Sequence, residues 1–381
     1  MVKRTPLHQQ QHTAGGIFRR VGAWQRVRYF SEDPSCRDEI RAVRENVGLI
    51  DVSTLGKFRL FGPDAEKVLQ RIYIGNMAAV RKDKVKYAAM CNEDGCLLDD
   101  GVVVQRGTND YYFTTSTGRA GNTAEWIGFH TRYDGWVYHL VNLTDALGAV
   151  NLAGPRAREV LAEFADMDIS NAAFPYLGYR EFLLKGTIPV RVLRLGFVGE
   201  LSFEIHMPAS YAPTVWNLLM EAGQPYGIRP FGLEAQNCLR LEKGHVIIGQ
   251  ESEIRTTLHD LGLGSLWYRH KPDENTVGAV ALRHTENQSD RLKLVGFKVE
   301  NSGHAPKDGS VIVDTTLRGH VCTARHSMAV GESIGLALVE DTLAKEGTRL
   351  EIMEDDGRDR RLYATVVPIP FYDPGGERVR S

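Results

Sequence analysis

The chain has 381 residues, 43% of them hydrophobic and 25% charged, with a formal net charge of −2. That is enough chain for two or three domains with cores of their own, and the composition is that of a folded protein rather than a disordered one. The charge gives no reason to expect nucleic acid or an anionic membrane as partner; no apolar run reaches the length of a membrane span, and "MVKRTPLHQQQHTAGG" at the N-terminus lacks the apolar region of a secretory signal.

In chain order, the first well-patterned unit is "FRLFGPDAEKVLQRI" (Phe58–Ile72), read as a strand, a Gly-Pro corner and an amphipathic helix. The proline suits a first helical turn, where its missing N–H costs nothing. Strands follow at Val85–Cys91, Leu97–Gln105 and Tyr111–Thr115, then a helix over about 121–129. "VNLAGPRAREVLAEF" (Val150–Phe164) repeats the strand–Gly-Pro–helix pattern. After it come strands at Phe182–Leu195 and Leu201–Met207 and helices at Tyr211–Glu221 and Leu233–Glu242. The shared order predicts two related α+β units, each a mainly antiparallel sheet with helices on one face. Coincidence is the plainer alternative for so simple a pattern. Polar stretches at Lys271–Gly278 and Arg283–Arg291 mark a boundary. Beyond Leu292 the short runs "LKLVGFKV", "SVIV", "IGLALV", "RLEIM" and "LYATVV" predict a small β-barrel or sandwich.

Much chemistry is missing from the sequence. No GxGxxG follows a strand, and there is no Walker A lysine, no HExxH and no GxSxG. The histidines are scattered without ligand spacing, so no metal site is expected. The five cysteines, an odd number with no CxxC, point to a reduced, cytoplasmic setting.

What stands out is carboxylates inside apolar strands. In "GCLLDDGVVVQ" (Gly95–Gln105), Asp99 and Asp100 interrupt a strand, and alternation sends them to opposite faces. An inward carboxylate without a partner is costly. In "ELSFEIH", Ser202, Glu204 and His206 share one face while Leu201, Phe203 and Ile205 take a core-like face. On periodicity alone Glu204 reads first as solvent-facing, the commoner fate of glutamate in a strand, and Arg240 in "CLRLEKG" reads first as a surface or ion-pair residue.

Taken together, the segments resemble the glycine-cleavage T-protein (aminomethyltransferase) family of folate-binding proteins. The resemblance is carried by "TPLHQQQHTAGGIFRRVGAWQRVRYF", "AVRENVGLIDVSTLGKFRLFGPDAEKVLQRIY", "KYAAMCNEDGCLLDDGVV", "LGFVGELSFEIHMP", "PFGLEAQNCLRLEKGHVIIGQE", "HDLGLG" and "IGLALVEDTLAKEG", in the same order and over nearly the whole chain. It is nearest to the folate-binding C-terminal portion of sarcosine oxidase α subunits and dimethylglycine-oxidising enzymes. It implies an α+β cloverleaf of three domains around a central folate site, two ferredoxin-like and one β-barrel-like. The expected divisions are residues 1–50 with 147–270, residues 51–146, and residues 290–375.

The resemblance also implies a site. Asp99, as the first aspartate of the "DD" pair, is expected to be catalytic and to contact folate, with Asp100 structural. Glu204 is expected to grip the pterin, Tyr87 and Leu55 to line the site, and Thr115 and Ser116 to wall the pterin. Phe197 stands where relatives carry tyrosine, keeping the stacking and losing the hydroxyl. Arg240 is expected near the anionic folate tail. Gln236 and Asn237 replace the usual "ARD" arginine region, which disfavours a lipoyl-carrier T-protein.

The implied function is transfer of a one-carbon unit from a methyl or aminomethyl donor to tetrahydrofolate, as a demethylase or methyltransferase or as an aminomethyltransferase. A non-catalytic folate-binding module, or one that traps formaldehyde from a flavoprotein amine oxidase, is the alternative. The chain has no nucleotide-binding fingerprint. An oxidative route would therefore need a flavoprotein partner, and direct demethylation by this chain alone is the expectation.

Overall fold

The computed structural model describes residues 2–30, 33–268, 275–286, 288–301, 303–355 and 360–381. One six-stranded sheet runs in the spatial order Tyr73–Ile74, Val85–Cys91, Leu97–Gly107, Asp110–Thr115, Gly56–Phe61, His139–Asn142. A second six-stranded sheet runs Tyr179–Leu184, Ile188–Leu193, Ser202–Pro208, Leu147–Ala153, Gly48–Asp51, Arg229–Pro230. Both follow one plan. Three consecutive strands form a meander, and the third pairs with the strand that leads through Gly-Pro into a helix.

The two corners are forced in the same way. Gly62 and Gly154, each just before the proline, have φ of +127° and +133°. A Cβ on Gly62 would lie 2.8 Å from Tyr138 Cα, and one on Gly154 would lie 2.5 Å from the Asn46 carbonyl oxygen. Positive φ and backbone crowding each demand glycine there.

Helices cover one face of each sheet. Ala65–Ile72 and Ala120–Thr131 close a core of Phe58, Val68, Leu69, Met90, Val103 and Phe113. Ala157–Ala162 and Ala212–Ala222 close another of Leu152, Val160, Phe203, Ile205 and Trp216. The C-terminal part is a closed barrel of Leu292–Val299, Val311–Val313, Leu317–His326, Ser333–Glu340, Arg349–Glu354 and Arg360–Val367. Closure leaves that sheet without free edges. Among the described residues no helix is long and apolar enough to cross a membrane.

Some elements differ from expectation. The single strand expected over Phe182–Leu195 is a hairpin, Tyr179–Leu184 with Ile188–Leu193. Its turn places Lys185 and Gly186 at φ of +50° and +66°, the left-handed geometry that suits strand twist. Part of the polar stretch expected as a boundary at Arg283–Arg291 is helical, since Ala279–Thr285 forms a helix anchored by buried Leu282. Of the other expected boundary, Lys271–Gly278, residues 271–274 lie outside the described residues. The long barrel strand Leu317–His326 was not anticipated, because "LRGHVCTARH" mixes charged and apolar residues without clear alternation.

A buried charge cluster ties these parts together. Arg44, on the helix Arg37–Glu45, bonds Glu200 at 2.9 Å and Glu242 at 2.5 Å, and donates to the Val198 and Leu239 carbonyls. Ser327, in the barrel, donates its hydroxyl to the other Glu242 oxygen. Tyr372 donates to Glu200, and Arg44 lies 4.2 Å from the Tyr372 ring centroid. Removing one member leaves buried partners unpaired. Arg44→Met is predicted to cost about 3–5 kcal/mol in denaturant unfolding. A loss below about 1 kcal/mol would show that the cluster does not hold the parts together.

Candidate functional site

The two sheets meet across a gap. At one end it is filled by Val85, Val104 and Tyr112 from one sheet and by Leu147, Tyr179 and Leu193 at the other. What remains polar along it is decided by which side chains each strand turns inward.

The strand Leu97–Gly107 pairs with Val85–Cys91 so that Tyr87 faces Val102, Ala89 faces Asp100, Met90 faces Asp99 and Cys91 faces Leu97. Leu98 is therefore an extra residue, a bulge in the ladder. Asp100 shares its face with Tyr87, Val102 and Val104, the face toward the gap. Asp99 shares the opposite face with Leu98, Met90 and Val103, under the helices. Asp100 therefore lies on the face toward the gap and Asp99 on the face under the helices.

Their partners differ accordingly. Asp99 is 1% exposed and accepts the Ser116 N–H at 3.2 Å. It pins the point where the strand Asp110–Thr115 ends and the chain turns toward the helix. Burial pushes its pKa up to about 7, opposed by the Ser116 hydrogen bond and helped by the charge of Asp100. Asp100 is partly buried and accepts the Tyr87 hydroxyl at 2.7 Å. Burial raises its pKa as well, and the Tyr87 bond opposes the rise. The Tyr87 hydroxyl itself is pushed well above its usual range by burial and by the Asp100 charge.

The other sheet answers with Glu204. On Ser202–Pro208, Phe203, Ile205 and Met207 enter the helix-covered core, so Ser202, Glu204 and His206 face the gap. Glu204 Oε1 accepts from His206 Nε2 at 2.7 Å, and His206 Nδ1 meets the Tyr112 hydroxyl at 2.5 Å. Tyr112 pairs with Val104, two positions along the same face from Val102 and four from Asp100. One hydrogen-bonded chain therefore joins the sheet that carries Asp100 to the sheet that carries Glu204.

The remaining expected residues divide. Leu55 lies on the connector between the sheets and packs with Val52, Ala149 and Ala153, on the Glu204 side of its sheet. Phe197 is half-buried and stacks on His245 at 5.6 Å, and its carbonyl accepts the His245 ring N–H. Thr115 faces the helix start rather than the gap. It pairs with Gly56, where a Cβ would meet Thr115 Oγ1 at 2.0 Å and Ala120 Cβ at 3.0 Å. Ser116 is engaged with Asp99. Arg240 is fully buried, bonds Glu251 at 2.8 Å and the His245 carbonyl at 2.9 Å, and so has its charge matched inside the protein. Its Nε and Nη2 have no hydrogen-bond partner among the described residues.

Two participants had little sequence signal. Tyr112 reads as an ordinary strand aromatic. Lys57 begins a strand, where lysine is normally solvated, yet it is fully buried and donates to the Ser53 and Leu55 carbonyls, each at 2.7 Å. Burial lowers its pKa to about 8, opposed by Glu204, Asp51 and Asp145. It clamps the connector that carries Leu55.

The architecture is that of a multidomain α+β protein with a closed C-terminal barrel. The chain matches the GCVT N-terminal domain over residues 7–271 and the glycine cleavage T-protein C-terminal barrel domain over residues 293–373. It is 32% identical to an aminomethyltransferase of Bacillus pumilus (strain SAFR-032) over 373 residues, covering 98% of this chain and 99% of that protein. It is 31% identical to the sarcosine oxidase subunit alpha of Corynebacterium sp. (strain P-1) over 392 residues, 98% of this chain but 40% of that protein. In fold it is similar to the glycine cleavage system aminomethyltransferase T of Bartonella henselae, with a TM-score of 0.85, 22% identity, and coverage of 97% of this chain and 98% of that one. The chain belongs to the glycine-cleavage T-protein family.

Asp99 supplies a pH test of this geometry. Its folded pKa, about 7, lies above the ordinary 3.8. Between those values the native state keeps the Asp99 proton while the unfolded chain releases it, so this group makes stability fall as pH rises through that window. Asp99→Asn lacks the effect. Urea unfolding is expected to show the variant gaining on the wild type between about pH 4 and about pH 8. A difference that does not change with pH would contradict the burial described for Asp99.

Proposed function

We propose that this chain transfers a one-carbon unit from a methylated or aminomethylated small molecule to tetrahydrofolate, bound in the gap between the two sheets. Tetrahydrofolate serves aminomethyltransferases of this family. The observation that carries the reading is that Asp100 with Tyr87, and Glu204, reach the same gap from opposite sheets. Buried carboxylates of this kind call for donors. A pterin edge offers its 2-amino group and N3–H side by side, which a carboxylate accepts together. Glu204 fits that task, because its hydrogen bond to a described residue engages Oε1. Leu55 provides apolar contact on the same sheet face.

Asp100 then takes the role that the sequence resemblance assigned to Asp99. Bound tetrahydrofolate supplies a nucleophilic amine. Asp100, ionised, orients an N–H toward itself, receives the proton released as nitrogen bonds carbon, and offsets positive charge as it builds. Tyr87 holds the carboxylate and favours its ionised form.

For the donor, direct transfer from an activated methyl group, such as a sulfonium or quaternary ammonium compound, is the reading favoured here. The match to 40% of a sarcosine oxidase α subunit supports a second source, a one-carbon fragment made by a flavoprotein oxidase from a methylated amine. Turnover of the purified chain with tetrahydrofolate and a panel of methyl donors separates them. Methyl-tetrahydrofolate from the chain alone supports direct transfer, and product only after adding a flavoprotein oxidase supports the second source.

Asp100→Asn should lower turnover about 10²–10⁴-fold. The acid limb of the wild-type pH–rate profile should lie above the ordinary carboxylate range, because burial raises the Asp100 pKa. Tyr87→Phe removes the bond that opposes this rise and should move the limb to higher pH. Full activity in Asp100→Asn, or a limb unmoved in Tyr87→Phe, would remove Asp100 from the reaction.

A further inference from the structure

Glu204 does not stand alone in the gap. His206, two residues along the same strand, is fully buried and has a partner on each ring nitrogen. An ionised carboxylate only accepts, so Nε2 carries the hydrogen in its bond to Glu204 Oε1. The Tyr112 hydroxyl, 1% exposed, then donates to the bare Nδ1. The other charged groups near the ring are Lys57 and, directly across the strand pair, Arg191, which also lies 5.3 Å from the Tyr112 ring centroid. On the remaining side the neighbour is Ala149. Burial lowers the His206 pKa, with Lys57 and Arg191 acting in the same direction and Glu204 against, so the ring is neutral near pH 7.

We propose that His206 is the positioning residue for the ligand-binding carboxylate: fixed as its Nε2–H tautomer, it holds Glu204 Oε1, turns Oε2 toward the pterin edge, and is itself held by Tyr112 from the sheet that carries Asp100. The proposal rests on the reading of Glu204 as the pterin-binding group. A glutamate held by one oxygen has lost its rotamer freedom before the ligand arrives, so less ordering remains to be done on binding. Because Tyr112 sits beside the strand Leu97–Gly107, the spacing of the two sheets sets the aim of Glu204 relative to Asp100. A fixed separation between the two carboxylates is what a rigid ligand touching both requires.

Two measurements test this. In the ligand-free protein with ¹⁵N-labelled histidine, long-range ¹H–¹⁵N spectra should show His206 with a protonated Nε2 and a bare Nδ1 at pH 7, and still neutral where exposed histidines are half protonated. An Nδ1–H tautomer or an imidazolium at pH 7 overturns the proposal whatever the ligand is. Calorimetry with tetrahydrofolate should then show His206→Leu weakened about tenfold, and His206→Gln, whose amide N–H replaces Nε2–H, within about threefold of wild type. Adding His206→Leu to Glu204→Gln should weaken binding no further than Glu204→Gln alone. If Glu204→Gln itself binds like the wild type, the reading of Glu204 fails. If Glu204→Gln is weakened and His206→Leu is not, only the role of His206 fails.

Discussion

The register of the strand Leu97–Gly107 against Val85–Cys91 decides what the rest of the site can be. Without the extra residue at Leu98, a strand paired from Leu97 onward would turn Asp99 to the Leu97 side and Asp100 into the core under the helices. With it, Leu98 and Asp99 both enter the helix-covered core, and Asp100 emerges beside Tyr87. The adjacent Gly101 belongs to the same device. A Cβ there would lie 1.9 Å from the Thr114 carbonyl oxygen, so the neighbouring strand can approach closely only because residue 101 has no side chain. Asp99 then uses its position to cap the Ser116 N–H where that neighbour ends.

The buried charges are satisfied in two different ways. Arg44, Glu200 and Glu242 bond to one another, to carbonyls and to hydroxyls until little capacity remains. Lys57 is spent on two backbone carbonyls. Asp100 and Glu204 are different in kind. Each is held by one neutral donor, a tyrosine hydroxyl or an imidazole N–H, rather than neutralised by a cation at bonding distance. A carboxylate oriented by a neutral group keeps its charge for a ligand.

Much of this was legible in the sequence. The duplicated Gly-Pro corner gave away two related units, and the alternation in "ELSFEIH" put Glu204 and His206 on one face, because strand periodicity is a local property. The facing of the two aspartates was not legible. Alternation sends adjacent residues to opposite sides but does not say which side is which, and a bulge is set by the partner strand. The burial of Arg240 is not legible for a similar reason: a helical arginine is buried or exposed according to what a distant segment, here Glu251, brings to it. Tyr112 and Lys57 carry no local pattern at all, since each acquires its role from contacts between sheets or within a connector.

On the proposed reading Asp100 and Glu204, not Asp99, face one ligand. A crystal structure of the chain with bound tetrahydrofolate tests it most directly. The pterin is expected between the two sheets, with Glu204 Oε2 and Asp100 within hydrogen-bonding distance, about 2.6–3.2 Å, of the ligand or of one bridging water, and Asp99 still on the Ser116 N–H. A ligand contacted by Asp99, with Asp100 turned away or the pterin outside this gap, would contradict it.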